Sequence, residues 1–215
     1  MGINILGISG SPIKNSNTDR LVKAMMAATG CGGEFVKLSD VNVRPCLGCK
    51  QCVPDNICKV EDDFQALSLK IQDAGAIVFG AYTPYGQIDG FTKALLERFW
   101  SLRHVNNLLK GKLCATVLTC LLPEMASHTN EALAMELVSY ERMNMLGQIT
   151  VTGNLPCMTC GKGDECEMSG VAMIHGVGIK TADVEYCRVE DQAGVWEEAN
   201  RIGNRMGDLL RAGTR

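Results

Sequence analysis

Gly7-Ile8-Ser9-Gly10-Ser11-Pro12-Ile13-Lys14-Asn15-Ser16-Asn17-Thr18 joins a short apolar run, Ile3 to Ile8, to a stretch in which Leu21, Val22, Met25 and Met26 return at helical spacing. The pattern is strand, polar loop, helix. The loop gathers hydroxyls, small residues and one cation where backbone amides and the helix dipole favour an anion. It lacks the Gly-Lys-Ser/Thr ending of a P-loop and the spacing of a dinucleotide fingerprint, so a phosphate monoester suits it better. Ser9, Ser11, Asn17 and Thr18 supply donors for phosphate oxygens and Lys14 adds charge. Asn15 and Ser16 complete a polar loop that also suits a ribityl-like chain. The alternative is an ordinary βα turn with Ser16 or Asn17 as helix cap.

Working outward, Phe35 to Leu38 reads as a second strand, Ala76 to Gly80 as a third, Leu113 to Cys120 as a fourth and Gln148 to Thr152 as a fifth. Helices are expected from Asp62-Asp63 through Gln72, from about Phe91 to Leu102, from Thr129 to Leu146 and from Glu190 to Arg211. The last of these sets Val195, Ala199, Ile202, Met206 and Leu209 on one face. Strands alternating with helices imply an α/β fold with a doubly wound, five-stranded parallel sheet of order 2-1-3-4-5, and ligands at the carboxyl ends of the strands. One domain over residues 1–215 is expected, with a cysteine-rich insertion at 39–59 and a mostly irregular segment at 154–181. The loop Thr83-Pro84-Tyr85-Gly86-Gln87 falls at the same sheet end as the phosphate loop. Its rigid proline, aromatic and glycine suit the approach of a flat ring such as an isoalloxazine.

A formal net charge of -3 gives no electrostatic footprint for a nucleic-acid partner. No apolar run approaches the length of a membrane span, and the opening residues have no signal-peptide pattern, so a cytoplasmic protein with no membrane partner is expected. Eleven cysteines are the anomaly, because a reducing cytoplasm disfavours disulfides. Four are scattered: Cys31, Cys114, Cys120 and Cys187, most simply small core residues. The three histidines, His104, His128 and His175, pair with neither cysteine group and read as surface or capping residues. Trp100 reads as ordinary packing, with a cover over the flavin as the other possibility.

Cys46, Cys49, Cys52 and Cys58 place three thiols within seven residues and a fourth a short reach beyond. Such crowding suits an iron-sulfur cubane, in which each iron needs its own thiolate. Zinc sites more often use two separated CxxC knuckles, and a thiol-disulfide site does not need four cysteines. Cys157, Cys160 and Cys166 repeat the x2, x5 spacing of Cys49, Cys52 and Cys58. Three thiols invite a fourth, and the expected strand order makes Cys120 the first candidate and Cys187 the second. A second [4Fe-4S] cluster, a zinc ion, a cluster with one iron left open for substrate, or a glycine-rich loop with its cysteines at a subunit interface or in a disulfide all fit that pattern. Both groups are expected near the flavin end of the sheet.

In combination, the Gly-Ile-Ser-Gly-Ser-Pro start, the Thr83-Pro84-Tyr85-Gly86 loop and the Lys93-x3-Glu97-Arg98 helix resemble the NADPH-dependent FMN reductase branch of the flavodoxin-like superfamily, from residue 3 to about residue 153. With the compact cysteine motif after the second strand, the chain resembles the iron-sulfur flavoproteins. That resemblance implies a [4Fe-4S] cluster on Cys46, Cys49, Cys52 and Cys58, FMN on the loop residues named above, and a ferredoxin-like electron donor. It also implies a small-molecule acceptor, an anaerobic cytoplasm, and a homodimer or homotetramer in which the cluster of one subunit approaches the flavin of another. The competing expectations are an NAD(P)H-dependent FMN or quinone reductase with structural zinc, and a non-catalytic electron carrier.

Overall fold

Strands buried on both faces carry nearly unbroken apolar runs, and the sheet is built from such runs. The computed structural model describes residues 5–213, so Ile3 and Asn4 of the expected first strand lie outside the described residues. β1 (Ile5–Ser9), β2 (Gly33–Lys37), β3 (Ala76–Tyr82), β4 (Leu113–Cys120) and β5 (Asn144–Thr152) pair in parallel in the order β2-β1-β3-β4-β5, as expected. Alternation along the strands divides two apolar layers. Ile77, Phe79 and Ala81 of β3 face α2 (Phe64–Asp73), α3 (Gly90–Phe99) and α4 (Ser127–Ala134), whereas Ala76 and Val78 face α1 (Asn17–Ala28) and α6 (Val195–Gly213).

Two boundaries differ from the sequence reading. The helix expected to run to Leu146 ends at Tyr140, after a π-helical turn at Met135–Tyr140, and Asn144 to Leu146 already belong to β5. Arg142 makes the break by adopting the left-handed φ of +55° that glycine usually supplies at a helix end. The closing helix starts at Val195 rather than Glu190, after a short 3-10 turn at Val189–Asp191. Leu209 is largely exposed, and the buried stripe of α6 is completed by Gly203 and Gly207.

These two glycines press against the carbonyl groups of Met25 and Thr29, leaving no room for a β-carbon, so α1 and α6 cross almost in backbone contact. Gly207→Ala is expected to lower the unfolding free energy by about 1–3 kcal/mol through overpacking, whereas Gly32→Ala, which meets only open space, should change it little. Urea unfolding of the two variants checks the pair.

Glu141 follows the π turn with a fully buried side chain, Arg103 3.2 Å away and Oε2 without a partner. Burial, only partly offset by Arg103, pushes its carboxyl up to about 7. The folded chain therefore holds this proton more tightly than the unfolded one, and stability falls as pH rises from the ordinary glutamate range through about 7. Glu141→Gln should gain about 1–3 kcal/mol over the natural protein at pH 8 and little at pH 5, read from melting temperatures at both.

Candidate functional site

The carboxyl ends of β1, β3, β4 and β5 open on a cleft of about 600 Å³. Its floor and near wall are the residues 11–18 loop. Ser16 caps α1, accepting from the Asp19 amide at 3.1 Å, and the Asp19 carboxylate accepts from the Ser16 amide in return. The first-turn amides of Asn17 and Thr18 precede any intrahelical acceptor and remain available to an anion. Asp19 also accepts from the Ser9 hydroxyl at 2.6 Å and the Lys37 ammonium at 2.7 Å, and Lys37 donates to the Ile13 carbonyl at 2.8 Å. This buried set ties the loop down from below. The Ser11 and Ser16 hydroxyl oxygens accept from the Ile13 and Asp19 amides, which leaves both hydroxyl protons free to donate upward.

Ser11, Lys14, Asn15, Ser16, Asn17, Thr18, Thr83, Pro84 and Tyr85 line this cleft together. Three of the expected residues do not. Ser9 is fully buried beneath the loop, committed to Asp19. Gly86 turns its carbonyl to the Thr129 hydroxyl at 3.2 Å, and Gln87 is exposed outside the lining. Asn17 lines the wall, but its side chain is spent elsewhere. The amide donates to the carbonyls of Thr152 and Cys187, and the oxygen accepts from Arg20 and the Val189 amide. Its side chain is a strut between the phosphate loop and the segment after β5.

The far wall and lip are Thr119, Cys120 and Leu121 after β4, Gly153, Asn154 and Pro156 after β5, and Tyr186. Tyr85 stands at the lip fully exposed, held at φ +53°, a left-handed conformation that costs an aromatic residue about 1–2 kcal/mol. An anion cradle of hydroxyls and first-turn amides, with Pro84, Tyr85, Leu121, Pro156 and Tyr186 above it, matches a phosphate monoester attached to a flat ring.

The first cysteine group folds into a separate recess. Cys46, Cys49, Cys52 and Cys58 line it with Arg98, Trp100 and Ser101, and none of these residues lines the cleft. Burial pushes the Cys52 thiol up, and Cys58, Cys49 and Cys46 add to the effect because thiolates repel one another. The Gly48 amide donates to Cys46 Sγ at 3.4 Å, and His104 Nε2 lies 3.4 Å from Cys52 Sγ while its ring stands edge-on to Trp100. Beneath lies Arg98, fully buried. It makes paired bonds to Asp62 at 2.6 and 3.1 Å, donates to the Arg44 carbonyl, and covers the Phe64 ring at 4.4 Å. Burial alone would pull the guanidinium down, but Asp62 and the nearby Cys58 outweigh it and raise its pKa. Its Nε is left without a partner.

The recess is on the C-terminal side of α3, whereas the Tyr82–Tyr85 wall of the cleft precedes the N-terminus of that helix. The expectation that both cysteine groups share the flavin end of the sheet therefore fails for the first group, because the insertion is clipped by Arg44 and Asp62 across α2 and α3. The second group follows Pro156 of the cleft wall. Cys160 and Cys166 are exposed and Cys157 is partly so. Cys120 is buried in the apolar layer beside Ala126 and Leu133, its thiol directed at the Val151 carbonyl 3.8 Å away, and no cysteine of the second group lines the same cleft. Among the described residues, no three His, Cys, Asp or Glu side chains converge to hold a single ion. Nor is any helix among them long and apolar enough to cross a membrane.

Comparison with known proteins fits this geometry. The NADPH-dependent FMN reductase family matches residues 3–154. An iron-sulfur flavoprotein of Archaeoglobus fulgidus is 30% identical over 155 residues, covering 71% of this chain and 75% of the relative. The chain belongs to the iron-sulfur flavoproteins. An iron-sulfur flavoprotein of Methanocaldococcus jannaschii is 33% identical over 104 residues, 47% of this chain and 54% of the relative, so the match spans about half of that protein. Among solved structures, a flavone reductase superposes with a TM-score of 0.62 at 14% identity, over 98% of this chain and 64% of its own. An archaeal flavodoxin superposes with a TM-score of 0.50 at 10% identity, over 96% and 98%. The fold is flavodoxin-like.

Sequence reasoning missed Arg98 and His104 as neighbours of the cysteine recess. Trp100 belongs to that recess and not to the flavin cleft. The one available signal was their place at the end of the helix after the ring-binding loop, which points to neither site. Reciprocal bonds between Asn154 and the Cys187 backbone, at 2.8 and 2.7 Å, were equally invisible. Asn17→Ala is expected to cost about 1–3 kcal/mol by leaving the buried Val189 amide without its acceptor, and to loosen the segment after β5. Limited proteolysis should then cut between residues 154 and 188 faster than in the natural protein.

Proposed function

We propose that the cleft binds FMN and that Cys46, Cys49, Cys52 and Cys58 bind a [4Fe-4S] cluster, in an enzyme that takes electrons from a ferredoxin-like donor and delivers them to a small acceptor. The observation that carries this reading is the cysteine recess, in which four thiols meet an unpartnered buried Arg98 Nε. Four closely spaced thiols lining one recess fit a cubane, whose irons each take one thiolate, better than a zinc site built from two separated knuckles. Bound there, the cluster supplies one-electron chemistry and the flavin couples it to two-electron chemistry at the acceptor.

The chain's own groups prepare both sites. Ser11, Ser16 and the amides of Asn17 and Thr18 hold the phosphate, with Lys14 adding charge, while Thr83, Pro84 and Tyr85 flank the ring. Arg98 favours the thiolate forms of the recess, and its Nε and the Gly48 amide are the donors available to sulfur. The recess and the cleft lie beyond opposite ends of α3, a helix about 15 Å long. A homodimer or homotetramer that brings the recess of one subunit to the cleft of another removes that separation. Exposed Leu47, Val53, Ile57 and Val105 around the recess supply apolar surface for such a contact or for the donor.

Anaerobically purified protein is expected to show a broad cluster absorption under the flavin peaks, and Cys58→Ser should lower it, with loss of about four irons per chain, while FMN stays bound. Flavin peaks alone, with zinc in place of iron, would establish the NAD(P)H-dependent reductase instead. Reduction and reoxidation with equal rates for every acceptor would mark a simple carrier.

A further inference from the structure

The second cysteine group lies beyond the family match, which stops at residue 154, and the reading above does not use it. We propose that Cys157, Cys160 and Cys166 bind a second iron-sulfur cluster at the rim of the flavin cleft, through three protein thiolates. The spacing is that of Cys49, Cys52 and Cys58. The local backbone also serves the sulfurs. Gly161 takes a φ of +76°, which turns the Lys162 amide onto Cys160 Sγ at 3.4 Å, and the Gly170 amide donates to Cys157 Sγ at 3.2 Å. Amide donors of this kind stabilise thiolate sulfur and tune clusters. Gly48 makes the same contact to Cys46 in the first group.

Burial separates these thiols from packing cysteines. Cys114 and Cys120 fill the core, whereas Cys160 and Cys166 are exposed and unpaired in a segment with a small apolar core of its own. Between residues 154 and 188 only Leu155, Val171 and Ser169 are well buried, among side chains whose burial the structure describes, while Met168, Met173, Val177, Ile179 and Tyr186 face outward. A metal centre supplies the organisation that so small an apolar core does not. Asn154 stands three residues before Cys157, where Cys46 stands before Cys49, and its side chain is committed to the Cys187 backbone. The protein therefore offers three thiolates here and leaves the remaining iron to a ligand from outside the motif. Gly153, Asn154 and Pro156 line the cleft, so this centre adjoins the flavin site of its own chain.

The test is iron, acid-labile sulfide, zinc and FMN analysis of anaerobically purified full-length protein, alongside Cys157→Ser/Cys160→Ser/Cys166→Ser and Cys46→Ser/Cys49→Ser/Cys52→Ser. The natural protein should carry about eight irons and eight sulfides per chain, and each triple variant about half. Two distinct reduced-cluster electron paramagnetic resonance signals in the natural protein keep the test valid where a variant fails to fold. About four irons, all lost with the first group and none with the second, would overturn this inference and leave the proposed function standing. Four irons lost only with the second group would do the reverse, and zinc removed by the second triple variant would replace the cluster with a structural zinc.

Discussion

A guanidinium buried against a carboxylate holds the cysteine insertion to the body of the protein. Removing both charges from water costs several kcal/mol per ion, so Arg98 and Asp62 persist only because the pair is over-determined. Asp62 receives two bonds from Arg98 and one each from the Arg44 and Phe64 amides. Burial alone would push its carboxyl up, yet these donors hold it below the ordinary aspartate range. Because Arg44 gives its amide to Asp62 and its carbonyl to Arg98, the chain entering the cysteine insertion is fastened at the pair itself. The recess above thus rests on a fixed positive charge. Cys52, whose thiol is pushed up by burial and by the other three cysteines, needs such a charge, or a metal, to become a thiolate.

The phosphate loop follows a related logic with the charges reversed. A carboxylate below an anion site would repel the ligand, but Asp19 is neutralised by Lys37 and saturated by Ser9 and Ser16. It acts as an anchor, leaving upward-facing hydroxyl protons and amides to meet the anion. Gly10 allows the same loop to lie against Asp89 and Thr92 at the start of α3, where any β-carbon would collide. The start of α3 therefore packs against the phosphate loop, and the left-handed Tyr85 stands at the lip of the cleft. Strain in an exposed aromatic is tolerated where something flat is to be held.

How far this was legible in the sequence follows from how local each cause is. Apolar runs and their punctuation fixed the five strands and their order, because strand and crossover patterns are written in neighbouring residues. The end of the α4 region was not, since Arg142 does the work of a glycine without being one. Cysteine spacing exposed both groups, but spacing says nothing of which sheet end an insertion folds over. That was decided by Arg44, Asp62 and Arg98, up to 54 residues apart in the chain. Asn17 illustrates the same limit. Its residue type suits phosphate, but Thr152, Cys187 and Val189 claim its side chain from more than 130 positions away.

Cysteine number is therefore a poor guide to cysteine chemistry in this chain, and environment is the better one. Cys114 lies between apolar strands, where burial pushes its thiol up to about 12, so it is a packing residue at any physiological pH. Cys120 is buried in the same layer with its thiol raised in the same direction, and no cysteine of the second group lines the cleft beside it. Most of the clustered thiols differ in exposure. They sit in loops, backbone amides reach Cys46, Cys157 and Cys160, and all but Cys52 remain at least partly accessible. A chain that buries some cysteines as small apolar residues and presents others on amide-lined loops has divided one residue type between two roles, and only the second role suits a metal.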